Sequence, residues 1–169
     1  MQAVDSTQEV RPKRPVFLLV LCILSFISIG IGFVEGGMAL ISGPDSPEQM
    51  EASIAVLDKQ IAGLDDQQMS DWKPTFEKLK NLVIVLNDKF YAYAALGLFI
   101  HAIGLGAVIM MLKGRKIGFH FYIIYTLLSI GDYYFFISPA MIPTIVIVFS
   151  ALLGALFVSL YAVNLKWMR

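Results

Sequence analysis

Between Lys116 and Lys166 the chain carries a single charged side chain, Asp132. The rest of that 49-residue stretch reads as two apolar runs set end to end. Two further runs, residues 15–42 and 90–112, bring the number of bilayer-length segments to four. About 20 apolar residues cover the roughly 30 Å of hydrocarbon in a bilayer. A soluble helix sets an apolar stripe against a polar face, whereas whole turns here are apolar on every side. The fold class expected is therefore all-α and polytopic: four transmembrane helices, with an extracytoplasmic helical hairpin between the first and second.

Composition fits one such domain. Of 169 residues, 57 % are hydrophobic and 15 % charged, so four spans and one loop use nearly the whole chain. Nothing resembles the basic patch that nucleic acid requires, and no nucleic-acid partner is expected. Cys22 is the only cysteine, which excludes an intrachain disulfide, a CxxC redox pair and a thiolate metal site. Arg11, Lys13 and Arg14 ahead of an apolar run look like the start of a signal peptide. The run continues far past a signal h-region, and no A-x-A pattern follows, so it reads as an uncleaved first span.

The segments then fall into order. Residues 1–14 form a polar tail, with 1–9 expected to be disordered, and 15–42 the first span. Ser42, Gly43, Pro44 and Asp45 end that span as a breaker cluster. Residues 43–89 are the one sizeable piece outside lipid. Ser46, Pro47 and Gln49 give a helix start, with serine as N-cap and glutamine three residues on. Met50, Ile54, Leu57, Ile61 and Leu64 recur at helical spacing, and Phe76, Leu79, Val83 and Leu86 form a matching series. Two amphipathic helices joined around residues 65–73 follow, the second starting at Pro74 and running unbroken into the second span. All of these apolar positions except Leu86 form the candidate partner-binding face. The second span is 90–112, a cationic turn 113–116 follows, and the third span is 117–137. An outer turn at 138–139 leads to the fourth span, 140–165, with Pro143 in its first turn and a basic tail at 166–169.

Lysine and arginine set the orientation. The N-terminal tail, the turn after the second span and the C-terminal end hold eight basic residues against two acids. Residues 43–89 hold five against nine. The positive-inside rule then puts both termini in the cytoplasm and the acidic hairpin outside.

Chemistry-bearing residues are few. Glu35, His101 and Asp132 are the ionisable groups inside the first, second and third spans. Such groups are costly in lipid, usually face the protein interior or water, and mark ion or proton paths. By helical rise Glu35 falls near the outer edge of the hydrocarbon, Asp132 in the outer third and His101 near the middle. Together they form a candidate intramembrane polar site, with a tyrosine such as Tyr91 or Tyr93 as a partner for Asp132. The bland alternative is structural hydrogen bonding between helices. Stripes of small residues four apart (Gly32 and Gly36; Ala102 and Gly106; Ala151, Ala155 and Ser159) let backbones approach closely, in this bundle or against another subunit. No HExxH, GxSxG or Walker pattern occurs, so no catalytic residue, metal ligand or cofactor is expected.

The opening segment, Arg14-Pro15-Val16-Phe17-Leu18 and then Val20 through Ile27, resembles the first span of small four-span inner-membrane proteins of Bacteroidetes-type bacteria. That resemblance implies a bacterial inner membrane with the acidic hairpin in the periplasm. The expected role is non-catalytic: an accessory or scaffold protein that presents the hairpin to an envelope partner. The alternative is a small proton- or cation-coupled transporter or channel using Asp132, Glu35 and His101.

Overall fold

The computed structural model describes residues 15–66 and 69–169. The tail expected at 1–14, with Arg11, Lys13 and Arg14, lies outside the described residues, as do Gln67 and Gln68. Six α-helices and no strand occur among the described residues: α1 Val16–Ser42, α2 Pro47–Asp66, α3 Lys73–Asp88, α4 Phe90–Leu112, α5 Ile117–Gly131 and α6 Thr144–Val163. Three of them are long and apolar enough to cross a membrane. These are α1, α4 and α6, with mean hydropathies of 2.8, 2.2 and 2.5 over their most apolar windows. Only 28 %, 28 % and 6 % of those windows are buried inside the molecule. Large apolar side chains such as Phe17, Val34, Phe99 and Phe149 face outward. Surfaces of that kind suit lipid and not water.

Local chemistry fixes the helix ends. Gly43 stops α1 at φ 80°, a left-handed value that disfavours a side chain, while its N–H bonds the Ala39 carbonyl at 2.8 Å. Ser46 and Gln49 cap α2 reciprocally, with Ser46 N donating to Gln49 Oε1 at 2.9 Å and Gln49 N to Ser46 Oγ at 3.3 Å. Helix α3 starts one residue ahead of Pro74. It does not run unbroken into α4: Lys89, at φ −103° and ψ 23°, puts a one-residue bend between them.

Two further boundaries differ from the sequence reading. The third helix stops at Gly131 and does not continue as α-helix to Ile137, because Asp132 Oδ1 accepts the Tyr133 N–H at 2.7 Å. That side chain competes with the helical carbonyl, and the chain tightens into a 3₁₀ turn over Asp132–Phe135. The fourth helix starts at Thr144, since Ile142 and Pro143 are extended, at ψ 128° and 124°. Pro143 therefore precedes the helix, and the connection runs over 132–143 with a second 3₁₀ turn at Pro139–Met141.

Helix α1 packs on α4, α4 on α5 and α5 on α6, whereas α1 meets α6 over only a short stretch. The larger apolar core lies toward the basic end, around Leu18, Cys22, Val108, Met111, Phe119 and Met168. There the backbone of Arg169 pairs with the α4–α5 turn: Lys116 N donates to its carbonyl and its own N–H donates to Gly114 O, each at 2.7 Å. A smaller core at the hairpin end joins Leu79, Leu82 and Leu86 of α3 to Ile137, Ile142 and Ile147.

Candidate functional site

Of the three ionisable residues singled out from the sequence, His101 and Asp132 lie within electrostatic reach of one another. His101 Nδ1 lies 2.7 Å from the Gly97 carbonyl, which can only accept, so that nitrogen carries the proton. Its ring packs over Gly32, where any side chain would collide with it, and stands edge-on to Tyr125 at 6.3 Å. Asp132 is half-buried and within electrostatic reach of His101 and of the Tyr93–Tyr133 pair, whose rings stack at 6.1 Å. Its hydrogen bond goes to the Tyr133 backbone and not to a tyrosine hydroxyl on the facing helix. Tyr91 points elsewhere, its hydroxyl lying beside Gly43. Glu35 is exposed on α1 and makes no ion pair or hydrogen bond among the described residues. No hydrogen bond or ion pair joins the three among the described residues; His101, midway along α4, and Asp132, just past the end of α5, interact only electrostatically.

The hairpin seam is occupied by the hairpin itself. Met50, Ile54, Leu57, Ile61, Phe76 and Leu79 are half-buried and Leu64 is buried, so this face turns inward between α2 and α3. Val83 departs from the set: it is exposed, and its neighbour Leu82 is the buried position. The α3 series was read four residues apart at Leu79 and Val83, whereas the face against the bundle steps by three to Leu82. Lys80 Nζ meets Asp58 Oδ1 at 2.5 Å across the two helices. At the base, Asp45 N donates to Asn87 Oδ1 at 2.9 Å and Asn87 Nδ2 donates back to Asp45 O at 3.2 Å. Lys89 Nζ donates to Phe136 O at 3.3 Å. The start of α2 and the end of α3 are thus tied to each other, and the junction of α3 with α4 is tied to the α5–α6 connection.

A second polar feature was not read from the sequence. Where α1 and α6 diverge, a cavity of about 260 Å³ opens over α5. Ser25 and Ser28 line it from α1, Ser150, Gly154 and Phe157 from α6, and Tyr122, Tyr125, Thr126 and Ser129 from α5. At its base Ser25, 2 % exposed, accepts from the fully buried Tyr161 hydroxyl at 2.9 Å and lies 3.4 Å from the Tyr122 hydroxyl. Thr126 Oγ1 donates to the Tyr122 carbonyl at 2.9 Å. Ser129 Oγ is buried with no hydrogen-bond partner of ordinary geometry, although the Tyr125 hydroxyl is electrostatically coupled to it. The signal was present: 122, 125, 126 and 129 follow the i, i+3, i+4, i+7 spacing of one helix face.

The small-residue stripes divide. Gly32 and Gly36 seat His101 and Leu98 of α4, an intrachain use, while Ala102, Ala155 and Ser159 are exposed. Among the described residues no group of three or more metal-ligating side chains converges. Comparison with protein-family models, curated proteins and solved structures returns no match in any of the three.

Proposed function

We propose that this chain is a non-catalytic integral membrane protein that displays its hairpin as a rigid docking element for an envelope partner. In this reading four helices thread the bilayer, both ends lie in the cytoplasm and the hairpin faces outward. The resemblance of the first span favours a bacterial inner membrane. Helix α5 counts as the remaining span: its 15 residues rise about 22 Å, and the 3₁₀ turn that follows adds about 8 Å. Together these approach the roughly 30 Å of a hydrocarbon core.

The bracing of the hairpin carries the proposal. A loop that merely joined two spans would not need the Asp45–Asn87 pair, the Lys89–Phe136 bond and the seating of Leu82. Because the apolar seam is consumed internally, the contact surface is the exposed side of α2, where Glu48, Glu51, Ala55 and Val56 stand. Its acidic character suits a polar or basic partner. Photo-crosslinkers at Glu51 and Ala55 should trap one partner in intact cells, while the same group at the seam position Ile54 should not. Wild-type behaviour after removal of residues 46–86 would refute the display role. Threading is tested separately by single cysteines at Ser53 and Arg115, the first labelled by an impermeant maleimide in whole cells and the second only after lysis.

The electrostatic reach between Asp132 and His101 favours a second reading, a small proton- or cation-coupled transporter. Under it Asp132→Asn should abolish gradient-driven flux in vesicles. Under the display role the same variant should behave as wild type.

A further inference from the structure

The cleft between α1 and α6 faces a solvent that cannot hydrogen-bond. Its rim belongs to two helices long enough to span, and Ser25 lies about 14 Å along α1 from its start, near mid-membrane. Hydroxyls left unpaired at that depth are costly. Among the described residues Ser28 and Ser150 line the cleft without bonding another side chain, and Tyr125 and Ser129 have only each other. The cleft therefore calls for an occupant that hydrogen-bonds.

Its chemistry narrows the choice. No lining residue is charged, so an ion would be buried without a counter-charge. Thr126 spends its proton on the Tyr122 carbonyl and Ser25 is shared between Tyr122 and Tyr161, which leaves Ser129 and Ser150 to donate and favours acceptor oxygens on the ligand. Tyr122, Tyr125 and Phe157 supply flat apolar walls on which a ring can stack. The volume of about 260 Å³ equals that of about nine liquid waters, and one small ring with its oxygens fits within it. Phospholipid headgroups are charged or zwitterionic and stay at the interface, so depth and charge both exclude them. Entry is sideways from the bilayer, because α1 and α6 meet over only a short stretch.

We propose that this hydroxyl-lined cleft binds the ring of a neutral, carbonyl-bearing, lipid-soluble molecule of the quinone type. Ser129 and Ser150 donate to its carbonyl oxygens, and Tyr125 and Phe157 flank the ring.

The test uses the full chain in phosphatidylcholine nanodiscs, photolabelled with an azido-substituted short-chain quinone and competed with ubiquinone-1. Saturable label should map to peptides of α5 and α6 and should disappear with the competitor. Ser150→Leu fills the cleft and should lower labelling about tenfold, and Ser129→Ala should weaken competition about tenfold, the equivalent of one hydrogen bond. Ser159→Leu, on the exposed side of α6, should change neither. If Ser150→Leu fails to give a monodisperse particle, Ser129→Ala decides. Label that does not saturate, that spreads over the lipid-facing surface, or that survives both cleft variants overturns the proposal and leaves water as the occupant.

Discussion

The α1–α4–α5 side of the bundle and the α6 side are built on different rules. On the first, glycines set helix against helix: Gly32 and Gly36 receive His101 and Leu98, Gly104 receives the Tyr125 ring, and Gly118 rests on the Ala107 carbonyl. On the second, hydroxyls hold α1, α5 and α6 together through Ser25, and space remains above them. Lipid tails are as apolar as leucine, so helices in a bilayer gain little from burying aliphatic surface and associate through close fit or hydrogen bonds. This molecule uses fit to close one seam and hydrogen bonds to keep another ajar.

The comparison is broken most severely at Gly118. A Cβ there would stand 2.6 Å from the Ala107 carbonyl oxygen and 2.8 Å from Met111 N, both of them backbone atoms that cannot rotate away. Gly118→Ala should therefore push α4 and α5 apart and destabilise the protein by about 3 kcal/mol, the upper end of overpacking losses. Gly106, on the same α4, meets nothing within 4 Å. Gly106→Ala should be neutral or slightly stabilising, since alanine is the better helix former. Denaturant titration in mild detergent, read by helical ellipticity, ranks the two. Equal effects would mean that close fit does not close this seam.

How much of this was legible beforehand follows from the same two rules. Length and hydropathy located α1 and α4 well, because a long apolar run admits little except a helix. The ends of α5 and α6 were missed because they depend on one side chain and on paired backbone angles: Asp132 capturing its neighbour's N–H, and Ile142–Pro143 held extended. Of the candidate site, depth along the helices put Glu35, Asp132 and His101 in the same half of the bundle and no more. The outward turn of Glu35 was not legible, since depth says nothing about azimuth. The cleft was overlooked because serine, threonine and tyrosine inside apolar runs look unremarkable singly, and only their helical spacing collects them on one face. Gly104, Gly118 and Gly154 escaped for a related reason. Each meets a neighbouring helix at close range, and none belongs to the stripes singled out from the sequence.

On the ajar side the hub is Ser25. Ser25→Ala removes the acceptor of the Tyr161 hydroxyl and the neighbour of the Tyr122 hydroxyl, leaving a fully buried phenol with only the weak Cys22 thiol as a partner. The loss should be about 2 kcal/mol, within the range for orphaned buried hydroxyls. The same titration measures it. An effect near zero would mean that the three helices are held by contacts other than this network.

Removing the phenol's oxygen should hurt less than removing its acceptor. Tyr161→Phe keeps the ring that stands 4.8 Å from Tyr122, so packing is retained. Ser25 then loses one partner but keeps the Tyr122 hydroxyl, which can close the 3.4 Å gap with a small rotation. The loss should be about 1 kcal/mol, that of one ordinary hydrogen bond. The double variant sharpens the point, because with both groups gone no buried hydroxyl of this pair is left unsatisfied. Ser25→Ala with Tyr161→Phe should therefore fall short of the sum of the single losses by about 1 kcal/mol, as groups in direct contact do. Strict additivity would show that Tyr161 and Ser25 act independently, and the hydrogen bond joining α1 to α6 would then have no energetic meaning.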